Sequence, residues 1–152
     1  MLISFKKNKT FLQYKYRLHG GNKNMNNLRL FKCEKCGKIV EVLPNTHCCP
    51  TVCCGEPMVE LKPNSVDAAT EKHVPAVSLE GNKVVVQVGS VVHPMLDNHY
   101  ITFIILVTDK EVRRIDLKPG EVPAHTFTLG EDEKPLAVYE YCNLHGLWVK
   151  EL

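Results

Sequence analysis

Residues 99–117 read HYITFIILVTDKEVRRIDL. Two short runs, rich in β-branched and aromatic residues, flank the turn-prone pair Asp109-Lys110. That composition fits a pleated surface better than a helix. The same texture continues on both sides. Upstream, residues 77–89, VSLEGNKVVVQVG, form two apolar runs around a Gly81-Asn82 turn. Val84, Val86 and Val88 share one face of the second run, because side chains alternate along a strand. Downstream, HTFTL (125–129), LAVYEY (136–141) and LWVKEL (147–152) add three more runs. Turn signals recur about every 8 to 12 residues, with no long segment of 3.6-residue period. The expectation is a β-sandwich of about seven strands. No internal repeat or low-complexity tract interrupts it.

The composition is that of an ordinary globular chain: 152 residues, 44% hydrophobic, 24% charged, formal net charge +2. Bulk charge therefore does not point to nucleic acid or to an anionic membrane. No apolar run approaches the roughly 20 residues of a membrane span. The first 24 residues are polar and basic, without the continuous apolar core of a signal peptide. They read as an extension, disordered or upstream of a start at Met25, and His19 within it has no role. Seven cysteines without a secretion signal argue for a reducing compartment, here the cytoplasm, where clustered cysteines bind metal more often than they form disulfides.

Six of those cysteines lie in a segment punctuated by Gly37, Pro44, Pro50, Gly55 and Pro57. So small a segment needs a staple to fold. Cys33 and Cys36 form a C-x-x-C knuckle followed by Gly37, and Cys53 and Cys54 offer a second pair closed by Gly55. Four thiolates suit tetrahedral iron or zinc. The adjacent pair is unusual, because neighbouring side chains must splay to share one ion. Cys33, Cys36, Cys49 and Cys53 form an alternative, zinc-ribbon-like set, and Cys48-Cys49 also fit a spare redox pair or plain loop residues. His47 is a loop histidine. Pro63, Asn64 and Ser65 read as a linker.

The larger segment holds five histidines and Cys142. His73, His93, His99 and His145 flank strands or turns, and His145 lies three residues after the cysteine; His125 sits at a strand start without such a setting. Neutral imidazole is the commonest protein metal ligand. Four of them with one soft thiolate suit a redox-active ion, iron above all, better than structural zinc. A cysteine–histidine hydrolase fits poorly: three residues apart on a loop, Cys142 and His145 do not align for proton transfer, and no orienting third group is evident.

In order along the chain, FKCEKCGKIVEVL (31–43), TVCCGEPM (51–58), VDAATEKHVP (66–75), VVHPMLDNHYI (91–101), LKPG (117–120) and EYCNLHGLW (140–148) resemble desulfoferrodoxin. This is the two-iron class of superoxide reductase, whose N-terminal part is similar to desulforedoxin. The resemblance covers about residues 28–152. It implies an all-β chain: a small desulforedoxin-like metal-stapled domain at 25–62, a linker and active-site segment at 63–72, and an immunoglobulin-like β-sandwich at 73–152. It implies one iron on Cys33, Cys36, Cys53 and Cys54. A second, cycling between Fe2+ and Fe3+, would have His73, His93, His99 and His145 as equatorial ligands and Cys142 as the axial one. Glu71 and Lys72 match the family's mobile pair beside the open position. The implied activity is one-electron reduction of superoxide to hydrogen peroxide, with re-reduction by rubredoxin or a similar small carrier, in a homodimer. Trp148 and Tyr141, beside the Cys142 loop, read as packing residues. The Cys48-Cys49-Pro50 stretch departs from the family's glycine-rich loop.

Overall fold

The computed structural model describes residues 28–43 and 50–152, together with the backbone of one strand, β1 (Tyr14–Arg17). Apart from that strand's backbone, the expectations for the 1–24 extension lie outside the described residues, as do His19, His47, Cys48 and Cys49. A small N-terminal part carries β2 (Leu30–Lys32), β3 (Ile39–Glu41), β4 (Val52–Cys53), β5 (Glu56–Pro57) and β6 (Val59–Glu60). A single helical turn, α1 (Thr70–His73), leads into β7 (Pro75–Glu80), β8 (Lys83–Val88), β9 (Ile101–Thr108), β10 (Glu111–Asp116), β11 (Ala124–Thr128), β12 (Pro135–Cys142) and β13 (Gly146–Glu151). The seven expected sandwich strands are β7 to β13.

All pairings are antiparallel. One sheet has the order β1-β10-β9-β12-β13 and the facing sheet β11-β8-β7. Between them lies a core in which Val84, Val86 and Val88, the face anticipated from alternation, meet Ile104, Leu106, Ile115, Phe127 and Val138. The outer face of the larger sheet is covered as well. Phe103, Ile105, Tyr139, Tyr141 and Leu147 pack against Leu28, Leu30, Ile39 and Leu61 of the small part. This double cover explains why β9 is apolar almost without interruption: both of its faces are dry.

Near its start β9 carries an irregularity. Tyr141 pairs with Phe103, but Cys142 pairs with Ile101, so Thr102 is an extra residue in the ladder. A bulge of this kind re-aims side chains. It returns Ile101 to the inner face, beside Cys142, and both belong to the inner core.

At the opposite end of β9 the core closes on a buried ion network. The Arg113 guanidinium donates to Glu111, to Glu133 and to the Thr128 carbonyl, the last at 2.8 Å, so it ties β10 to β11. Glu133 also accepts from the Thr108 hydroxyl and the Gly130 amide, each at 2.6 Å. Alternation along EVRRID places Glu111, Arg113 and Ile115 on one face, the only sequence trace of this network. Burial alone would raise the Glu133 carboxyl, but the bonds from Thr108, Gly130 and Arg113 outweigh it and hold the group below the ordinary carboxylate range. A depressed carboxyl stabilises the fold above its unfolded value, about 4.3, and loses that contribution as pH falls through the folded value. Glu133→Gln should therefore cost about 1–3 kcal/mol at neutral pH. Its deficit against wild type should shrink below about pH 4, measured by urea denaturation across the acid range.

Candidate metal centres

In the small part, the Sγ atoms of Cys33, Cys36, Cys53 and Cys54 lie within 4.8 Å of one another. The knuckle is closed by the Gly37 amide on the Cys33 carbonyl at 2.8 Å, with Gly37 at φ +72°. The adjacent pair converges because Cys54 takes the left-handed conformation, φ 52°, which turns its side chain back toward that of Cys53. Cys36 Sγ lies 3.7 Å from Cys53 Sγ, which lies 3.9 Å from Cys54 Sγ. Sulfurs at about 2.3 Å around a tetrahedral ion stand about 3.8 Å apart, so the spacing fits one. The Cys36 amide lowers Cys33 to about 7, whereas the neighbouring thiols, Cys36 foremost, push Cys54 up to about 12. Four thiolates at such spacing call for a cation to offset their repulsion.

The second cluster gathers donors from four separate places. His73 comes from α1, His93 from the turn after β8, His99 from the approach to β9, and Cys142 and His145 from the hairpin joining β12 and β13. The five donor atoms lie within 4.8 Å of one another. The rings form a closed square. Their centroids follow at 4.8 Å (His73–His93), 4.6 Å (His93–His99), 4.9 Å (His99–His145) and 4.7 Å (His145–His73), each pair near perpendicular. Cys142 belongs to the inner core and is fully buried, whereas His99 and His145 are half-buried and Lys72 is exposed. The cluster is thus deepest at Cys142, His93 and His73 and nearest the surface at His99 and His145.

The nitrogen chemistry is that of a ligand set. His73 Nδ1 donates to the Ala69 carbonyl at 2.7 Å and His93 Nδ1 to the Pro94 carbonyl at 2.6 Å. Each ring therefore turns a bare Nε2 inward, the orientation used by metal-bound histidines. His93 Nε2 and His99 Nε2 are buried without a hydrogen-bond partner, a costly state unless something else satisfies them. His73 Nε2 and His145 Nδ1 are 2.9 Å apart, close to the roughly 3 Å between two donors at right angles, each about 2.1 Å from one ion. Burial lowers His73 and His99 and brings His93 to about 4, so these imidazoles are neutral near pH 7. Burial pushes the Cys142 thiol up, opposed by the amides of His145 and Leu144. A thiolate there needs a cation beside it. The residues fit a metal ion.

Neighbouring groups set the frame. Trp148 stacks on His73 at 4.9 Å and donates from Nε1 to the His145 carbonyl at 3.1 Å, while Tyr141 lies on the outer face, stacked on Phe103. The Glu71 carbonyl accepts from the Val91 amide at 2.9 Å and the Ser90 hydroxyl at 3.3 Å, which clasps α1 to the turn that carries His93. Lys72 lies near enough to His99 for its charge to contribute to that ring's lowered pKa. His125 lies on β11 in edge contact with Phe127, outside the cluster. Two residues escaped sequence reasoning. Glu140, two positions before Cys142, is fully buried with neither carboxyl oxygen partnered, and burial pushes it well above the ordinary range. Gly89 has φ +77°, and a Cβ there would lie 2.7 Å from the Lys72 carbonyl group. The glycine in QVGS was the available signal for the second; nothing in EYC marked the first.

The family model described as desulfoferrodoxin matches residues 65–151, and that described as the desulfoferrodoxin N-terminal domain matches residues 25–61. The desulfoferrodoxin of Syntrophotalea carbinolica is 48% identical over 124 residues, covering 82% of this chain and 96% of its own. The desulfoferrodoxin homolog of Archaeoglobus fulgidus is 46% identical over 121 residues, 80% of this chain and 94% of its own. Among solved structures, the superoxide reductase from Treponema pallidum superposes with a TM-score of 0.68 at 36% identity, covering 82% of this chain and 98% of that one.

The tight approach at Gly89 yields a test with an internal control. Gly81 has a similar positive φ, +61°, but open space around it. Gly81→Ala should cost only the backbone strain, about 1–2 kcal/mol. Gly89→Ala should add an overlap cost of about 1–3 kcal/mol and lower iron occupancy at the histidine cluster, read by thermal unfolding and metal analysis.

Proposed function

The chain belongs to the desulfoferrodoxin family, and from that premise we propose that it is a superoxide reductase with two iron sites, the histidine–cysteine cluster being the catalytic one. The observation that carries this reading is the closed square of four imidazoles with one fully buried thiol among the same five donors, two of the rings being half-buried. Iron held there supplies the single electron that, with two protons, turns superoxide into hydrogen peroxide.

The protein's own groups do the rest. Neutral imidazoles leave the positive charge of the site largely uncompensated, which favours an anionic substrate. Cys142 donates electron density from the core side, the lever that thiolate ligands exert at haem iron. Lys72, exposed beside His73, attracts the anion and orders a water that donates a proton. Glu71, its neighbour, supplies a hard carboxylate suited to the oxidised state of the site. We assign Cys33, Cys36, Cys53 and Cys54 to the first iron. The same reading divides the chain into the iron domain at 25–62, the active-site segment at 63–72 and the sandwich at 73–152.

The electron comes from outside, and we propose rubredoxin or a carrier of similar size as the donor. We further propose a cytoplasmic homodimer. The seven cysteines favour a reducing compartment, and exposed Leu43, Val52 and Val59 on the small part supply apolar surface for self-association. No helix among the described residues is long and apolar enough to cross a membrane.

Pulse radiolysis of the iron-loaded, reduced protein should show near-diffusional reaction with superoxide; a protein that holds iron yet stays inert would be an electron carrier instead. Lys72→Ala should slow capture by about tenfold and flatten its salt dependence. An unchanged salt slope would refute steering. Cys142→Ser should keep the fold, by circular dichroism, and abolish turnover.

A further inference from the structure

His99 is held differently from His73 and His93. The rings of His73 and His93 are each fixed through Nδ1 to a backbone carbonyl. Among the described residues no hydrogen bond reaches either ring nitrogen of His99, and its buried Nε2 is unpartnered. Its place is set through the backbone. His99 and Leu96 exchange hydrogen bonds at 2.9 and 3.0 Å. The other support comes from Asn143, in the turn between Cys142 and His145. The Asn143 Oδ1 accepts from the Tyr100 amide at 2.9 Å, and its Nδ2 donates to the Asn98 carbonyl at 3.0 Å. Its own amide donates to the Tyr100 carbonyl at 3.1 Å. One side chain thus grips the residues on both sides of His99.

We propose that Asn143 is a positioning residue that locks His99 onto the Cys142–His145 hairpin, doing through the main chain what a carbonyl does directly for His73 and His93. The chemistry requires an amide. Its two ends meet opposite partners, an N–H and a C=O, so one end must accept and the other donate. A carboxylate of the same shape would set an oxygen against the Asn98 carbonyl. Outer partners that orient a ligand are worth about 10–100-fold in metal affinity. Without Asn143, His99 becomes the ligand that leaves first. This inference rests on the assignment of the five-residue cluster as an iron site.

The test is release of ferrous iron from the full-length, iron-loaded protein to a chromophoric chelator without oxygen. The visible absorption of the four-cysteine site serves as an internal check on the fold. Asn143→Ala should speed release from the histidine site by about 10–100-fold. Asn143→Asp, which keeps the acceptor for Tyr100, should also speed it and guards against a misfolded alanine variant. In a His99→Ala background, Asn143→Ala should add less than about twofold, because the two changes remove one interaction. Release from both Asn143 variants at the wild-type rate overturns the role of Asn143, and so does an undiminished effect in the His99→Ala background. Wild-type protein that takes up no iron at the cluster overturns the site assignment itself.

Discussion

A thiol and several basic ring nitrogens sit together at one end of a β-sandwich, mostly buried, with too few protein partners to satisfy them. Burial raises the Cys142 thiol and lowers three of the histidines, so the protein alone favours a neutral, unfulfilled cluster. Only a cation makes this arrangement inexpensive, and its arrival reverses the local proton balance: the thiol gives up its proton and the bare nitrogens gain a partner. The surrounding fold exists to keep these groups together against their own preference for water. The bulge at Thr102, the clasp of Glu71 on the 90–91 turn and the amide grip of Asn143 are three local solutions to that one demand.

The two halves of the chain answer it differently. In the four-cysteine site the donors come from two short pairs, and left-handed backbone at Cys54 and Gly37 is enough to converge them. The histidine site draws on segments more than seventy residues apart, His73 to His145, and so depends on the sandwich for its precision. That difference in reach matches the division of labour between them. One set lies within a segment too small to bury a large core of its own; the other holds four imidazoles in a square with a thiol as the fifth donor.

Much of this was legible in the sequence. Val84, Val86 and Val88 announced an inward face by alternation, and the turn pairs at Gly81-Asn82 and Asp109-Lys110 divided the strands correctly. Spacing alone left Cys49 open beside Cys53 and Cys54 and the family resemblance made the choice; the structure brings the nine candidate ligands into two clusters, Cys33, Cys36, Cys53 and Cys54 in one and the four histidines with Cys142 in the other. What stayed hidden depends on contacts without a local signature. The Glu111–Arg113–Glu133 network joins residues whose partners are chosen by the fold. Glu140 looks like any strand glutamate until the facing sheet covers it. Asn143 is a single letter whose meaning appears only once a second loop arrives beside it.

The small part's packing on the outer face has one more consequence. Tyr141 and Cys142 are consecutive, yet the first belongs to the outer cluster and the second to the inner one. The Cys142 sulfur is therefore backed by two hydrophobic layers, the inner core and the outer cluster. Shedding the N-terminal cover would wet the back of the strand that carries the sulfur. The small N-terminal part thus keeps water from the back of the strand that carries Cys142, although it contributes no donor to that cluster.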